Sequence, residues 1–241
     1  MAEVLIPSPQ FCFYMQTVDQ GVSHVDIGPP QTDSVKGGSL DNVVNLPINK
    51  DFFWSTWLQG VAFSTTEDSN AFAFEEGFPY TITDTGSSHL FVPETYYEAL
   101  IDKMVEAAGS PEYQITDGIV LTTCDAQWTS LFFMVNEYWV EIKPAEYLFD
   151  VSESGDRSIC HIAMLGNNYN FFLMGLPFFQ GYYTIHDMTV PQIGYIPTDK
   201  SLKTPLKLGT VPTQFLEPIV RNWWLETGPL IFALLVLLFY S

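Results

Sequence analysis

From Phe11 to about Thr198 the apolar and polar positions alternate in short runs, each stopped by a turn signal. Phe11 to Met15 is the first run, ended by Asp19-Gln20-Gly21, and Ser23 to Ile27 is the second, ended by Gly28-Pro29-Pro30. Asp51 to Leu58 and Val61 to Phe63 read as two further strands. Tyr80 to Thr83 runs straight into Asp84, and Leu131–Val135 and Tyr138–Ile142 flank Asn136-Glu137, a hairpin signal. One stretch has a different period. Tyr97, Leu100, Ile101, Met104, Val105 and Ala108 fall on a single helical face, with Pro93 near the start and Gly109 and Pro111 at the end. The pattern predicts an all-β domain carrying one or two short helices.

The end of the chain departs from this rhythm. Residues 229–240 are uninterrupted and uncharged. As a helix they reach only about 18 Å, short of a ~30 Å hydrocarbon core. Trp223, Trp224 and Leu225 lengthen the run, and the tryptophans suit a membrane interface. Residues 223–241 are therefore expected to be a membrane anchor, either a spanning helix or a glycolipid-attachment signal. Residues 201–222, bearing Lys203, Lys207 and Arg221, are expected to connect it to a domain at 1–200. The first ten residues have no basic start and no long apolar run, so they are not read as a signal peptide.

At 241 residues and 47% hydrophobic the chain can bury a core of its own. Nine Lys+Arg against 28 Asp+Glu give a net charge of −19, which argues against nucleic acid as a partner and fits either a solubility device or work in an acidic compartment. Four scattered histidines and Cys12, Cys124 and Cys160 show no metal-ligand spacing, so neither a metal nor another cofactor is expected. The cysteine count suits one disulfide and one free thiol.

The candidate chemistry lies at Asp84-Thr85-Gly86-Ser87-Ser88. Peptide hydrolysis without a metal or a covalent nucleophile needs one carboxylate to bind and deprotonate water and one acid to protonate the carbonyl. Two carboxylates held together do both, because they share a proton rather than both ionise. Gly86 allows the tight turn that aims backbone N–H groups at the Asp84 carboxylate, Ser87 can bond its outer oxygen, and Thr85 can reach toward a partner half. A Ser87/Ser88/His89 nucleophile pair is rejected on the ground that neighbouring strand residues face opposite ways. Phe171-Phe172 and Phe178-Phe179 read as core.

With Asp84 as the register mark, the chain from Phe11 to Pro197 resembles the pepsin-like aspartic peptidases, and in particular the C-terminal lobe of their two-lobed fold. Phe11 to Met15 is similar to the strand entering that lobe, and Val25-Asp26-Ile27-Gly28 to its Leu-Gly-Gly strand. Ile82 to Ser88 is similar to the second catalytic loop, and Leu173-Met174-Gly175 to the element that packs beneath it. Tyr182–Asp187 and Gln192–Pro197 resemble the closing hairpin. The resemblance implies that Asp84 is catalytic, that Thr85, Gly86, Ser87, Leu173, Met174 and Gly175 support its loop, and that Cys124 and Cys160 are bonded. It further implies a polypeptide substrate and a complementary N-terminal lobe bearing the other aspartate, with the lone lobe inactive and open-edged at Phe11–Met15. The departures are plain. Only ten residues precede Phe11, Leu176-Pro177 stands where the family usually has Asp, and His89 stands where an apolar residue is common. A membrane-anchored, non-catalytic binding or structural protein is the alternative, and a homodimer of half-sites is a third reading. A lumenal or extracellular location follows from the family's habit and from the disulfide.

Overall fold

The computed structural model of the chain describes residues 8–17, 21–49, 53–74, 80–153 and 155–218. In chain order the first strands are β1 (Gln10–Tyr14), β2 (His24–Ile27), β3 (Val44–Pro47), β4 (Ser55–Phe63), β5 (Ala71–Ala73), β6 (Tyr80–Thr83) and β7 (Leu90–Pro93). Helix α1 (Glu94–Ala107) follows, then β8 (Tyr113–Thr116), β9 (Ile119–Thr122), β10 (Leu131–Val135) and β11 (Tyr138–Ile142). The last part holds α2 (Pro144–Tyr147), β12 (Leu148–Asp150), β13 (Cys160–Ile162), β14 (Met164–Asn167), β15 (Phe172–Met174) and α3 (Leu176–Phe179). It closes with β16 (Tyr182–Asp187), β17 (Gln192–Pro197) and β18 (Lys207–Leu208). The domain is mostly β-sheet with few helices, as the alternation predicts.

Three sheets form. The first has the order β2-β1-β16-β17-β3, and the third the order β12-β13-β9-β8. The second, running β14-β7-β15-β6-β4-β10-β11-β18 with β5 beside β4, carries the aspartate loop. Two details correct the sequence reading. β1 is not an open edge, since β16 and β2 pair with its two sides. Among the described residues the open edges of that sheet are β2 and β3, and on β2 His24, Val25 and Ile27 are exposed. The two strands expected on either side of Gly60 are one, β4, because Gly60 lets other chain come close. A Cβ there would lie 2.8 Å from the Phe72 carbonyl oxygen and 3.1 Å from the Pro212 ring.

α1 buries Tyr96, Tyr97, Leu100, Ile101, Met104 and Val105 against β4, β7 and β14. Each buried aliphatic or aromatic side chain there contributes about 1.5–3 kcal/mol of transfer free energy as an upper bound. Gly109, at φ +83°, ends the helix: its N–H donates to the Glu106 carbonyl and the Ser110 N–H to the Val105 carbonyl. At the β10–β11 hairpin Asn136 and Glu137 both take positive φ, 46° and 68°, the turn geometry that matches strand twist.

The segment read as a connector packs on the sheet as far as Leu216. Lys203, Leu206 and Leu216 are buried, and β18 pairs with β11. Lys203 Nζ lies 2.8 Å from Glu146 Oε2 and donates to the Gln180 carbonyl at 2.6 Å. Burial pushes Glu146 up and Lys203 down, each toward its neutral form, and the opposite charge of the partner pulls both back. The anchor expected at 223–241 lies outside the described residues. Among the described residues no helix is long and apolar enough to cross a membrane.

Candidate active site

The aspartate loop exists because two strands adjacent in sequence are kept apart in the sheet. β6 leads into Asp84 and β7 leads out at Leu90, yet β15 lies between them, parallel to β6 and antiparallel to β7. Met174 is thus flanked by Thr83 and Leu90, and residues 84–89 must arch over the end of β15. Gly175 is the residue beneath the arch. A Cβ on it would collide with the carbonyl oxygens of Ser87 and His89, so the loop can pass only over a glycine. Backbone bonds fix the arch at both ends: Asp84 N–H donates to the Met174 carbonyl at 2.9 Å, and Leu176 N–H to the Ser87 carbonyl at 2.8 Å.

Within the arch the Asp84 carboxylate accepts two bonds. The Gly86 N–H donates to Oδ1 at 2.9 Å, and Ser87 Oγ donates to Oδ2 at 2.7 Å. The carboxylate is thereby held in one orientation at a half-buried position, while Thr85 beside it is exposed. Thr83 Oγ1 donates to the Trp54 carbonyl at 2.7 Å and ties the base of the loop to the chain entering β4. Asp84, Gly86 and Ser87 therefore meet Leu173, Met174 and Gly175 in one place. Cys124 and Cys160 lie elsewhere, and their disulfide ties the loop after β9 to β13. Cys12 is free and buried.

A cleft of about 550 Å³ opens beside the carboxylate, lined by Trp54, Tyr80, Ile82, Asp84, Phe171 and Leu173 among others. Of these, the sequence motifs mark only Asp84 and Leu173 as site residues. The signal for most of the others is a period of two: Tyr80 and Ile82 of β6 and Asp84 just past its end stand two apart, as do Leu173 of β15 and Phe171 just before it. Phe171 is accordingly half-buried at the cleft, whereas Phe172, Phe178 and Phe179 are fully buried core. Tyr80 and Phe171 stack with ring centroids 5.8 Å apart, and Tyr169 stacks on Phe171 at 5.1 Å.

Ser88 and His89 lie in a bend rather than a strand, so the rule of opposite faces does not separate them, and Ser88 Oγ sits 2.8 Å from His89 Nδ1. His89 Nε2 in turn sits 3.1 Å from Nε2 of His161 on β13.

A β lobe whose catalytic-type Asp-Thr-Gly loop arches over a hydrophobic-hydrophobic-Gly strand defines an aspartic-peptidase class of fold. The family model of the eukaryotic aspartyl proteases matches residues 1–198, and the chain belongs to that family. It is 26% identical to mucorpepsin of Rhizomucor pusillus over 203 residues, which cover 80% of this chain and 45% of that protein. It is 25% identical to cathepsin D of Dictyostelium discoideum over 167 residues, 66% of this chain and 41% of that protein. The chain thus spans less than half the length of these curated relatives.

Proposed function

We propose that this chain supplies the C-terminal half of an aspartic endopeptidase, with Asp84 as one carboxylate of a water-activating pair whose other member comes from a complementary N-terminal lobe. The observation that carries the reading is the Asp84 carboxylate itself, fixed by Gly86 N–H and Ser87 Oγ at the mouth of an apolar cleft. Both bonds hold the carboxylate in one orientation, from which it can bind a water and take its proton. The partner carboxylate then keeps the shared proton and delivers it to the peptide carbonyl. The substrate is a polypeptide, seated between the Tyr80–Phe171 side of the cleft and the other lobe. In the completed two-lobe protein, Asp84→Asn is expected to lower peptide cleavage at acid pH by at least about 10²–10⁴-fold. Undiminished acid proteolysis by that variant overturns the assignment.

The alternative is a pepsin-like binding or structural protein held at a membrane. It is favoured by Leu176-Pro177 at the position where the family usually carries Asp, and by the uncharged run at 229–240. A two-lobe protein that binds peptides but cuts none would select it. Attachment through 223–241 with the lobe on the lumenal or extracellular side belongs to either reading. Release of intact protein by alkaline carbonate would refute attachment, and release by a phosphoinositide-specific phospholipase would select a glycolipid anchor over a spanning helix.

A further inference from the structure

The aspartate loop touches the rest of the lobe at a point that two-carboxylate chemistry does not use. His89 closes the loop, and its Nε2 faces Nε2 of His161 at 3.1 Å. The two imidazole planes differ by only 10° with centroids 5.2 Å apart. That separation is close to, and slightly below, the N···N distance plus two ring radii, so the near-parallel rings are offset and meet nearly edge to edge with nitrogens facing. This is the geometry of an N–H···N hydrogen bond, in which one Nε2 carries a proton and the other does not. A metal ion has no room on that axis.

The pair has one fixed side. His161 lies on β13 next to Cys160, whose disulfide is buried, and stands opposite Leu121 of β9 and Phe149 of β12 in register. Phe149 packs edge-on against both imidazoles, and Phe91 of β7 against His89. The loop side reaches the carboxylate in a few bonds: His89 Nδ1 to Ser88 Oγ, and Ser87 Oγ to Asp84 Oδ2. The Leu90 N–H bonds the Ala163 carbonyl at 2.9 Å, close to where β13 ends.

The surrounding charges are turned elsewhere. Asp150 of β12 is engaged by the N–H and Oγ of Ser152, and Glu94 of α1 lies against Gly166 of β14. β7 and β9 present Phe91 and Leu121. Burial lowers the proton affinity of both imidazoles, and the charge of His89 lowers that of His161 further. One added proton can be shared along the N···N axis. A second gives both Nε2 atoms a hydrogen and places two like charges 3.1 Å apart, and the contact must open.

We propose that His161 is a positioning residue for the aspartate loop, acting through His89, and that the pair separates in acid on taking up its second proton. Above that point the imidazole contact ties the outer side of the 84–89 arch to β13 and its disulfide; below it the backbone bonds of Asp84 to Met174, Leu176 to Ser87 and Leu90 to Ala163 remain. The consequence for peptide hydrolysis rests on the reading of Asp84 given above, whereas the coupling of the two imidazoles does not.

The test is a ¹⁵N imidazole titration of the full chain from neutral to acid pH, with His161→Ala and His161→Gln beside the wild type. The expected wild-type result is one protonated and one bare Nε2 at neutral pH, with two coupled steps on acidification. In His161→Ala the second step is lost, His89 titrates once and nearer its ordinary value, and the Ser87–His89 amide signals move. In His161→Gln the second step is also lost, but the amide signals stay in place, because a carboxamide can donate to or accept from His89 at every pH. A His89 curve that is single-step and identical in all three proteins overturns the proposal, as do amide signals indifferent to His161→Ala. Should that variant not fold, the glutamine variant decides. Coupled imidazoles in a chain whose two-lobe form cuts no peptide leave the coupling standing and remove the reading of Asp84. Acid proteolysis with independent imidazoles does the reverse.

Discussion

Lys203 shows how much one side chain can hold. It is 1% exposed, 2.8 Å from a buried carboxylate, and its Nζ also lies 4.2 Å from the centre of the Tyr182 ring. Taking both charges out of water costs several kcal/mol per ion, so the intact pair adds little net stability. Removing one member is another matter. Lys203→Met leaves Glu146 buried and unmatched, and it is expected to cost about 3–5 kcal/mol in urea unfolding, much of it recovered in the double variant Lys203→Met/Glu146→Gln. Gly175 is the second sensitive point. Gly175→Ala drives a methyl into the Ser87 and His89 carbonyls, so the arch must shift; the expected readouts are a lowered unfolding midpoint and displaced Ser87 and His89 amide signals. A variant as stable as the wild type with unmoved signals would contradict that crowding.

At the scale of elements, the disulfide closes a sequence separation of 36 residues between the turn after β9 and β13. The loop-entropy relation gives it about 4 kcal/mol, and Cys124→Ser/Cys160→Ser is expected to lose most of that in calorimetry or urea unfolding. A loss below ~1 kcal/mol would mean that the unfolded chain is already compact there. Elements whose side chains alternate, or repeat with helical period, are legible in the amino-acid sequence alone. β1, β2, β6, β10 and β11 fall within a residue or two of where the pattern puts them, the closing hairpin falls where the family resemblance puts it, and α1 begins at the residue after Pro93. The strands that the pattern misses are mostly of four residues or fewer, such as β5, β12, β13 and β15, and a run that short carries too few alternations to register. Parallel pairing is invisible in sequence as well, since it joins β6 to β15 with no turn between them. The Asp84 motif is readable because its chemistry is local. The alternation at Tyr80–Ile82 and Phe171–Leu173 is readable too, but the pairing that brings these runs into one cleft and the His89–His161 contact are not, because each joins residues far apart in the chain.

For the molecule as a whole, charge and burial pull opposite ways with pH. The −19 net charge relaxes as carboxylates protonate, which favours acid. His186 opposes it. Buried between Phe11 and Phe179 with Nδ1 unpaired, it has its pKa pushed down from 6.5 to about 3. Its folded value lies below its unfolded one, so the stability it contributes is complete above about 6.5 and drains away as pH falls toward about 3. The slope is about 1.4 kcal/mol per pH unit inside that window. His89 and His161 have the same sign, while Glu146, raised by burial, has the other. The isolated chain is therefore expected to lose stability between about pH 6 and pH 4, and His186→Phe to remove about that slope from urea midpoints taken across the range. A parallel loss in both proteins would assign the acid sensitivity elsewhere. The insertion of β15 between β6 and β7 has a temporal side too. Thr81 and Phe172 bond across 91 residues of chain, so a ribosome must make all of α1, the third sheet and the disulfide pair before the strand beneath Asp84 exists. Contacts of such long range form late in a search that meets local ones first. A nascent chain stopped short of residue 172 would carry the Asp-Thr-Gly sequence without the support that gives the carboxylate its orientation, and the site matures only when β15, near the end of the lobe, arrives.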